Sequence, residues 1–229
     1  MTPELTSVGR FGLQTHARHH EHKGLVVQTL RVIFLWLCFI TPATGAPTLL
    51  VVGDSLSAGY GLDRGQSWVD ILAANPSPIL GAHGQILNAS ISGETTTGGL
   101  SRLPGLLQRH QPDIVLIALG ANDGLRGLPL KTMQENLRAM FQLASEAGAT
   151  VLYAGIELPR NYGGPFVRAF RRAQDRIAQG TGVGYLPFFL EPVALRRELF
   201  QDDGLHPTAE AQPIIADYVG SFLQESLSK

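Results

Sequence analysis

The chain has 229 residues, with 18 Lys and Arg against 19 Asp and Glu, and 44% of it is hydrophobic while only 16% is charged. That is enough chain for one α/β domain with a sizeable core, and the near-neutral balance offers no basic footprint for nucleic acid. One cysteine excludes an intramolecular disulfide framework and a cysteine-rich zinc site, and none of Lys23, Lys131 and Lys229 stands in a G-x-x-x-x-G-K-[ST] context, so there is no P-loop.

Residues 1–24 are polar and carry His16, His19, His20 and His22. Arg31 then precedes nine apolar residues, Val32–Ile40, followed by the small residues Thr41-Pro-Ala-Thr-Gly-Ala46. A run of that length suits the core of a secretory signal, whereas a membrane-spanning helix needs roughly 20 apolar residues. Ala43 and Gly45, or Thr44 and Ala46, supply the small residues of a cleavage site. Cys38 follows Leu37 inside the apolar run, which argues against a lipoprotein. The expectation is a signal peptide in residues 1–46 and one domain in 47–229, periplasmic or secreted and without stable membrane insertion. The rival is an uncleaved anchor built on the longer, interrupted stretch Leu25–Ile40. Cleavage leaves no cysteine and three histidines: His83, His110 and His206.

Beyond residue 46, apolar β-rich runs recur at Thr48–Val52, Ile86–Ile91, Ile114–Leu119, Val151–Ile156 and Tyr185–Leu190, each closed by turn-forming residues. Helical patterns fall at Trp68–Ala74, Leu100–His110, Thr132–Ala147, Phe166–Gln179 and about Thr208–Leu227. Leu100, Leu103, Leu106 and Leu107 form one apolar stripe; Met133, Leu137, Met140, Phe141 and Ala144 form another. Five strand–helix alternations predict an α/β fold with a five-stranded parallel sheet covered on both faces. Such sheets bind ligands at the carboxyl ends of their strands.

Four segments fall just after predicted strands or near the end of the chain: Gly53-Asp-Ser-Leu-Ser57, Asn88-Ala-Ser-Ile-Ser-Gly-Glu-Thr95, Gly120-Ala-Asn-Asp123 and Asp202-Asp-Gly-Leu-His-Pro207. Singly, each reads as a turn or a helix cap. Together they supply what acyl transfer needs: a hydroxyl, an adjacent base, a carboxylate that orients the base, and preset donors for the developing oxyanion. Ser55 is the candidate nucleophile and His206 the base. Asp203, three residues from His206, is the candidate orienter, with Asp202 as the alternative. The oxyanion donors are the N–H groups of Ser55 and Gly93 and the amide of Asn122, a neutral donor. Asp54, an acceptor, is assigned a structural hydrogen bond within its turn. His206-Pro207 is expected to open the last helix, with Pro207 in its first turn. His83 sits in a Gly-flanked loop and His110 ends a helix; no clustered ligands suggest a metal. Leu125, Leu128, Pro129, Ile156, Leu158 and Tyr162 lie beside the reactive strand ends and form a candidate acyl groove.

In that order, Gly53-Asp-Ser-Leu, Gly93, Gly120-x-Asn122 and Asp203-x-x-His206-Pro207 resemble the four blocks of the GDSL/SGNH hydrolase superfamily. The likeness extends over nearly all of residues 48–220. Gly53–Tyr60, Asn88–Gly93, Asn122–Gly127, Leu158–Gly163 and Leu186–Phe189 are similar to the bacterial acyl-CoA thioesterase I, protease I and lysophospholipase L1 group. The resemblance implies a flavodoxin-like three-layer α/β/α sandwich with Ser55, His206 and Asp203 as the triad, and Ser55, Gly93 and Asn122 as the oxyanion hole. It implies a periplasmic enzyme that hydrolyses acyl thioesters and carboxylic esters without a cofactor or metal, and a gating loop at Gly124–Pro129. Ala121, Glu94 and Glu157 depart from the pattern at positions that bear on substrate range. The expected partner is a small-molecule acyl ester or thioester and the expected state a monomer. A carbohydrate acetylesterase of the same superfamily is the alternative. A ligand-binding module of another class would make the triad a coincidence, and no G-x-G-x-x-G follows the first strand.

Overall fold

Four-residue and longer runs of Val, Leu and Ile that are apolar on both faces can be satisfied only in a sheet covered on both sides. The computed structural model describes residues 45–228 and places those runs in such a sheet. Five parallel strands, β1 (Thr48–Gly53), β2 (Gln85–Asn88), β3 (Ile114–Ala118), β4 (Thr150–Ala154) and β5 (Gly184–Leu186), lie in the order β2-β1-β3-β4-β5. Leu49–Val52 of β1 and Val115–Ile117 of β3 have no exposed surface. The β1–β3 ladder pairs Leu49 with Ile114 through to Gly53 with Ala118.

Eight helices are found among the described residues: α1 (Ser55–Ala58), α2 (Trp68–Ala74), α3 (Ser77–Leu80), α4 (Thr96–His110), α5 (Ala121–Leu125), α6 (Leu130–Glu146), α7 (Gly164–Thr181) and α8 (Gln212–Leu227). α6 packs between α4 and α7, and α2 and α3 pack on α8, which yields the three-layer sandwich. Met133, Leu137, Met140, Phe141 and Ala144 are the buried face of α6, so that stripe reads correctly from its spacing.

Two strands are shorter than their apolar runs. β2 stops at Asn88, whose side chain turns to local work: Nδ2 donates to Ser57 O at 2.8 Å and Oδ1 accepts from Ser90 N–H at 3.1 Å. β5 stops at Leu186 because Pro187 has no N–H for the ladder. α1, α3 and α5, too short to show a period, are absent from the sequence reading. The last helix begins at Gln212, after a single helical turn at Ala209–Ala211, and its N-terminal proline is Pro213. Pro207 instead forms an isolated antiparallel bridge with Phe200, a correction to its expected place in the helix.

The strand order reverses between β1 and β3, since β2 lies on one side of β1 and β3 to β5 on the other. A crevice opens there at the carboxyl ends of the strands, where the α/β layout directs ligands. The segments after β1, β2 and β3 all enter it. The expected signal sequence in residues 1–46 lies outside the described residues but for Gly45 and Ala46. No helix among the described residues is long and apolar enough to cross a membrane.

Candidate active site

β1 delivers Gly53 and Asp54 to the crevice, and Asp54 caps α1 by accepting the Leu56 N–H on Oδ1 at 3.0 Å. Ser55 is therefore the first residue of a helical turn, its N–H free of intrahelical bonding. Ser57, the other hydroxyl of the turn, is wholly buried. Trp68 holds α1 from below: its Nε1 donates to Leu56 O at 3.1 Å and its backbone N–H to Gln212 Oε1 at 2.9 Å.

The segment after Phe200 brings the imidazole across. Asp203 Oδ1 accepts from the N–H groups of Leu205 and His206 at 2.8 and 3.0 Å, which makes the Asp-Gly-Leu-His stretch one closed turn. Its other oxygen lies 2.6 Å from His206 Nδ1, and His206 Nε2 lies 2.9 Å from Ser55 Oγ. With Nδ1–H donating to the carboxylate, Nε2 carries the lone pair that faces the hydroxyl. Asp203 is the acid that meets the ring; Asp202 is exposed, and its carbonyl accepts from Arg197 Nη2 at 3.2 Å. Burial pushes the Asp203 carboxyl up, but the N–H and ring of His206 and the Leu205 N–H outweigh it and hold the group down at about 2. Tyr60 covers the imidazole with ring centroids 4.5 Å apart, and Gln201 Nε2 ties the Tyr60 carbonyl at 2.8 Å.

The Ser55 and Gly93 N–H groups bond to no acceptor among the described residues. Gly93 has φ 78°, left-handed backbone that a side chain would strain, and its carbonyl accepts from Arg126 Nη2 at 2.8 Å. Asn122 rides on α5 after β3, lines the same cleft, and donates from Nδ2 to Asp54 Oδ2 at 3.3 Å. α5 is fastened to α4 by its next residue: buried Asp123 accepts from Thr96 N–H at 2.9 Å and from the Thr96 hydroxyl. In the sequence Asp123 has the look of an ordinary turn residue, and its place beside Asn122 is the one local signal of this anchoring role.

Ser55, Gly93, Asn122 and His206 open into one cleft of about 980 Å³. Of the six groove candidates, Leu125, Ile156 and Leu158 line it. Leu128, Pro129 and Tyr162 do not, a correction with a local cause. α5 ends at Leu125, the chain then turns outward, and Leu128 and Pro129 lead into α6; Tyr162 sits half-exposed on the turn before α7. Pro187, Phe188, Leu190 and Leu195, none of them among the groove candidates, also line the cleft. Glu157 joins the lining as one half of an ion pair, its Oε1 2.9 Å from Arg171 Nη1. His83 and His110 stay away from the cleft. Among the described residues, no group of three or more His, Cys, Asp or Glu is placed to hold a metal ion.

A family model described as GDSL-like lipase/acylhydrolase matches residues 51–213. The chain is 45% identical over 198 residues to the arylesterase of Vibrio mimicus, covering 85% of this chain and 97% of that protein. It is 43% identical over 192 residues to thioesterase 1/protease 1/lysophospholipase L1 of Escherichia coli K12, covering 83% and 90%. The crystal structure of TesA superposes with a TM-score of 0.74 at 46% identity, covering 78% of this chain and 98% of that one. The chain belongs to the GDSL-like lipase/acylhydrolase family and is an esterase of it.

Proposed function

We propose that the protein hydrolyses carboxylic esters and acyl thioesters through an acyl-enzyme on Ser55. The observation that carries the reading is the unbroken relay Asp203–His206–Ser55, with contacts of 2.6 and 2.9 Å, beside unengaged N–H groups at Ser55 and Gly93. Neutral His206 takes the Ser55 proton as Oγ attacks the acyl carbon. Asp203 holds the imidazole in the tautomer that accepts it and stabilises the imidazolium. The carbonyl oxygen, now anionic, receives hydrogen bonds from Ser55 N–H, Gly93 N–H and Asn122 Nδ2–H. The imidazolium returns the proton to the departing alcohol or thiol, and a water repeats the attack on the acyl-enzyme.

Leu125, Ile156 and Leu158 supply an apolar wall for the acyl chain. Relatives named as an arylesterase and as a thioesterase and lysophospholipase support aryl esters, acyl-CoA and lysophospholipids as the substrate panel. An organophosphonate should label the protein once, at Ser55. Ser55→Ala should abolish labelling and nitrophenyl-ester turnover, whereas Ser57→Ala should abolish neither. Turnover that survives in Ser55→Ala defeats the mechanism. Acetyl-xylan in the same panel tests the acetylesterase alternative. Residues 1–46 are read as an export signal, so N-terminal sequencing of the periplasmic protein should begin near residue 47.

A further inference from the structure

Asp54 is a buried carboxylate next to Ser55 to which acyl transfer gives no task. It is 1% exposed, and two donors converge on it: Leu56 N–H on Oδ1 at 3.0 Å and Asn122 Nδ2 on Oδ2 at 3.3 Å. The two ends of a side-chain amide have nearly the same shape and differ in what they bond. An ionised carboxylate only accepts, so it dictates which end of Asn122 lies against it. With Nδ2 tied to Asp54, the second hydrogen on that nitrogen remains for the cleft. Turned over, Asn122 would present Oδ1 there, and an acyl oxyanion would meet an acceptor.

We propose that Asp54 is a positioning residue that keeps the Asn122 N–H turned toward the acyl oxygen, and that protonation of Asp54 releases the amide and disables the site separately from the imidazole. The proposal rests on the acyl-enzyme reading above. The proton balance is local: a proton taken up on Oδ2 makes an O–H that donates to Asn122 Oδ1 after the amide turns, while Oδ1 of Asp54 keeps the Leu56 N–H. The charged and titratable groups that act on Asp54 are His206, Asp123 and Tyr153. Burial raises its carboxyl from 3.8 to about 6; the Leu56 N–H, the His206 charge and the Asn122 amide pull it down, and Asp123 pushes it up. Proton uptake thus falls inside the range of an ordinary activity assay.

Asp54→Asn keeps the cap, because Asn caps helices as well as Asp does. Its amide nitrogen then faces Asn122 as a donor, a fixed imitation of the protonated state. kcat should fall by about 10²–10³ with little change in KM, the loss associated with one oxyanion donor. In the parent, log(kcat/KM) should approach a slope of two on the acid side, one more than in a variant where the proton on Asp54 has no effect. In Asp54→Asn the slope should be one. It should also be one in Asn122→Ala, where the Asp54 proton has no amide to turn, and this arm holds whether or not Asp54→Asn folds. The double variant should be no slower than Asn122→Ala alone. Parent-like kcat in Asp54→Asn, a slope of one in the parent, or losses that multiply in the double variant each overturn the proposal. If phosphonate still labels Ser55 in the parent, those outcomes leave the acyl-enzyme reading standing; absent labelling overturns that reading itself.

Discussion

Asp54 and Asp203 carry the same side chain and titrate on opposite sides of the ordinary carboxylate range. Burial dominates at Asp54 and lifts it to about 6; donated hydrogen bonds dominate at Asp203 and hold it at about 2. The consequences for stability have opposite signs. The folded Asp54 binds its proton more tightly than the unfolded chain does, so its contribution is full below pH 4 and is lost as pH rises through about 6. Asp203 contributes above pH 4 and loses that contribution as pH falls through about 2, to an extent reduced by solvent because its side chain is 39% exposed. Asp54→Asn should therefore be more stable than the parent at pH 8, by up to roughly 3 kcal/mol, and no more stable at pH 4. Thermal unfolding at the two pH values checks this, and an equal or lower melting temperature at pH 8 contradicts it. Asp203→Asn should retain the fold and lose about 10⁴ in kcat, because an amide accommodates the tautomer with Nε2 protonated.

At the scale of elements, the site depends on how short α5 is seated. Its Asn122 faces the cleft, its Asp123 is clasped by Thr96 of α4, and its Gly124 lies under Leu158 and Phe170. A Cβ on Gly124 would stand 2.7 Å from the Phe170 ring and 2.8 Å from both Leu158 methyls. Gly124→Ala should destabilise the protein by about 1–3 kcal/mol through overpacking, and lower kcat by moving Asn122. A chemical-denaturation midpoint and kcat measured on one preparation test both effects. Asp123→Ala should also lower both, since it strands the Thr96 N–H and hydroxyl in a buried site. On the groove wall, Leu125 is partly exposed and open to substitution without emptying the core. Leu125→Asp should lower kcat/KM for long-chain esters by at least about tenfold relative to acetyl esters. Equal effects on both would take Leu125 out of the acyl groove.

For the molecule as a whole, the sheet and its two layers of helices were legible in the sequence. Leu49–Val52 and Val115–Ile117 are apolar without alternation, and the stripes of α4 and α6 repeat at helical spacing; burial imposes both patterns on any chain with this architecture. The four site blocks were legible for a related reason. Ser55, Gly93, Asn122 and His206 each follow a strand end or lie near the final helix, and the parallel topology sends those ends to one edge. Local pattern could not show where the chain turns once it leaves an element. Leu128, Pro129 and Tyr162 have the right chemistry but lie outside the cleft lining, whereas Phe188 and Leu190 fall in a run that reads as strand and Leu195 in the turns beyond it. Pro207 resembles a helix start and is bound instead by Phe200. Residue type and spacing by themselves determined the fold class and pointed to Ser55, His206 and the candidate oxyanion donors, because each depends on a pattern or a chemistry that few side chains possess. Only the tertiary structure decided which of two neighbouring acids turns to His206, which apolar residues line the cleft, and that Asp54 grips Asn122, because the first depends on how one turn closes and the others on segments far apart in the chain, 68 residues for Asp54 and Asn122.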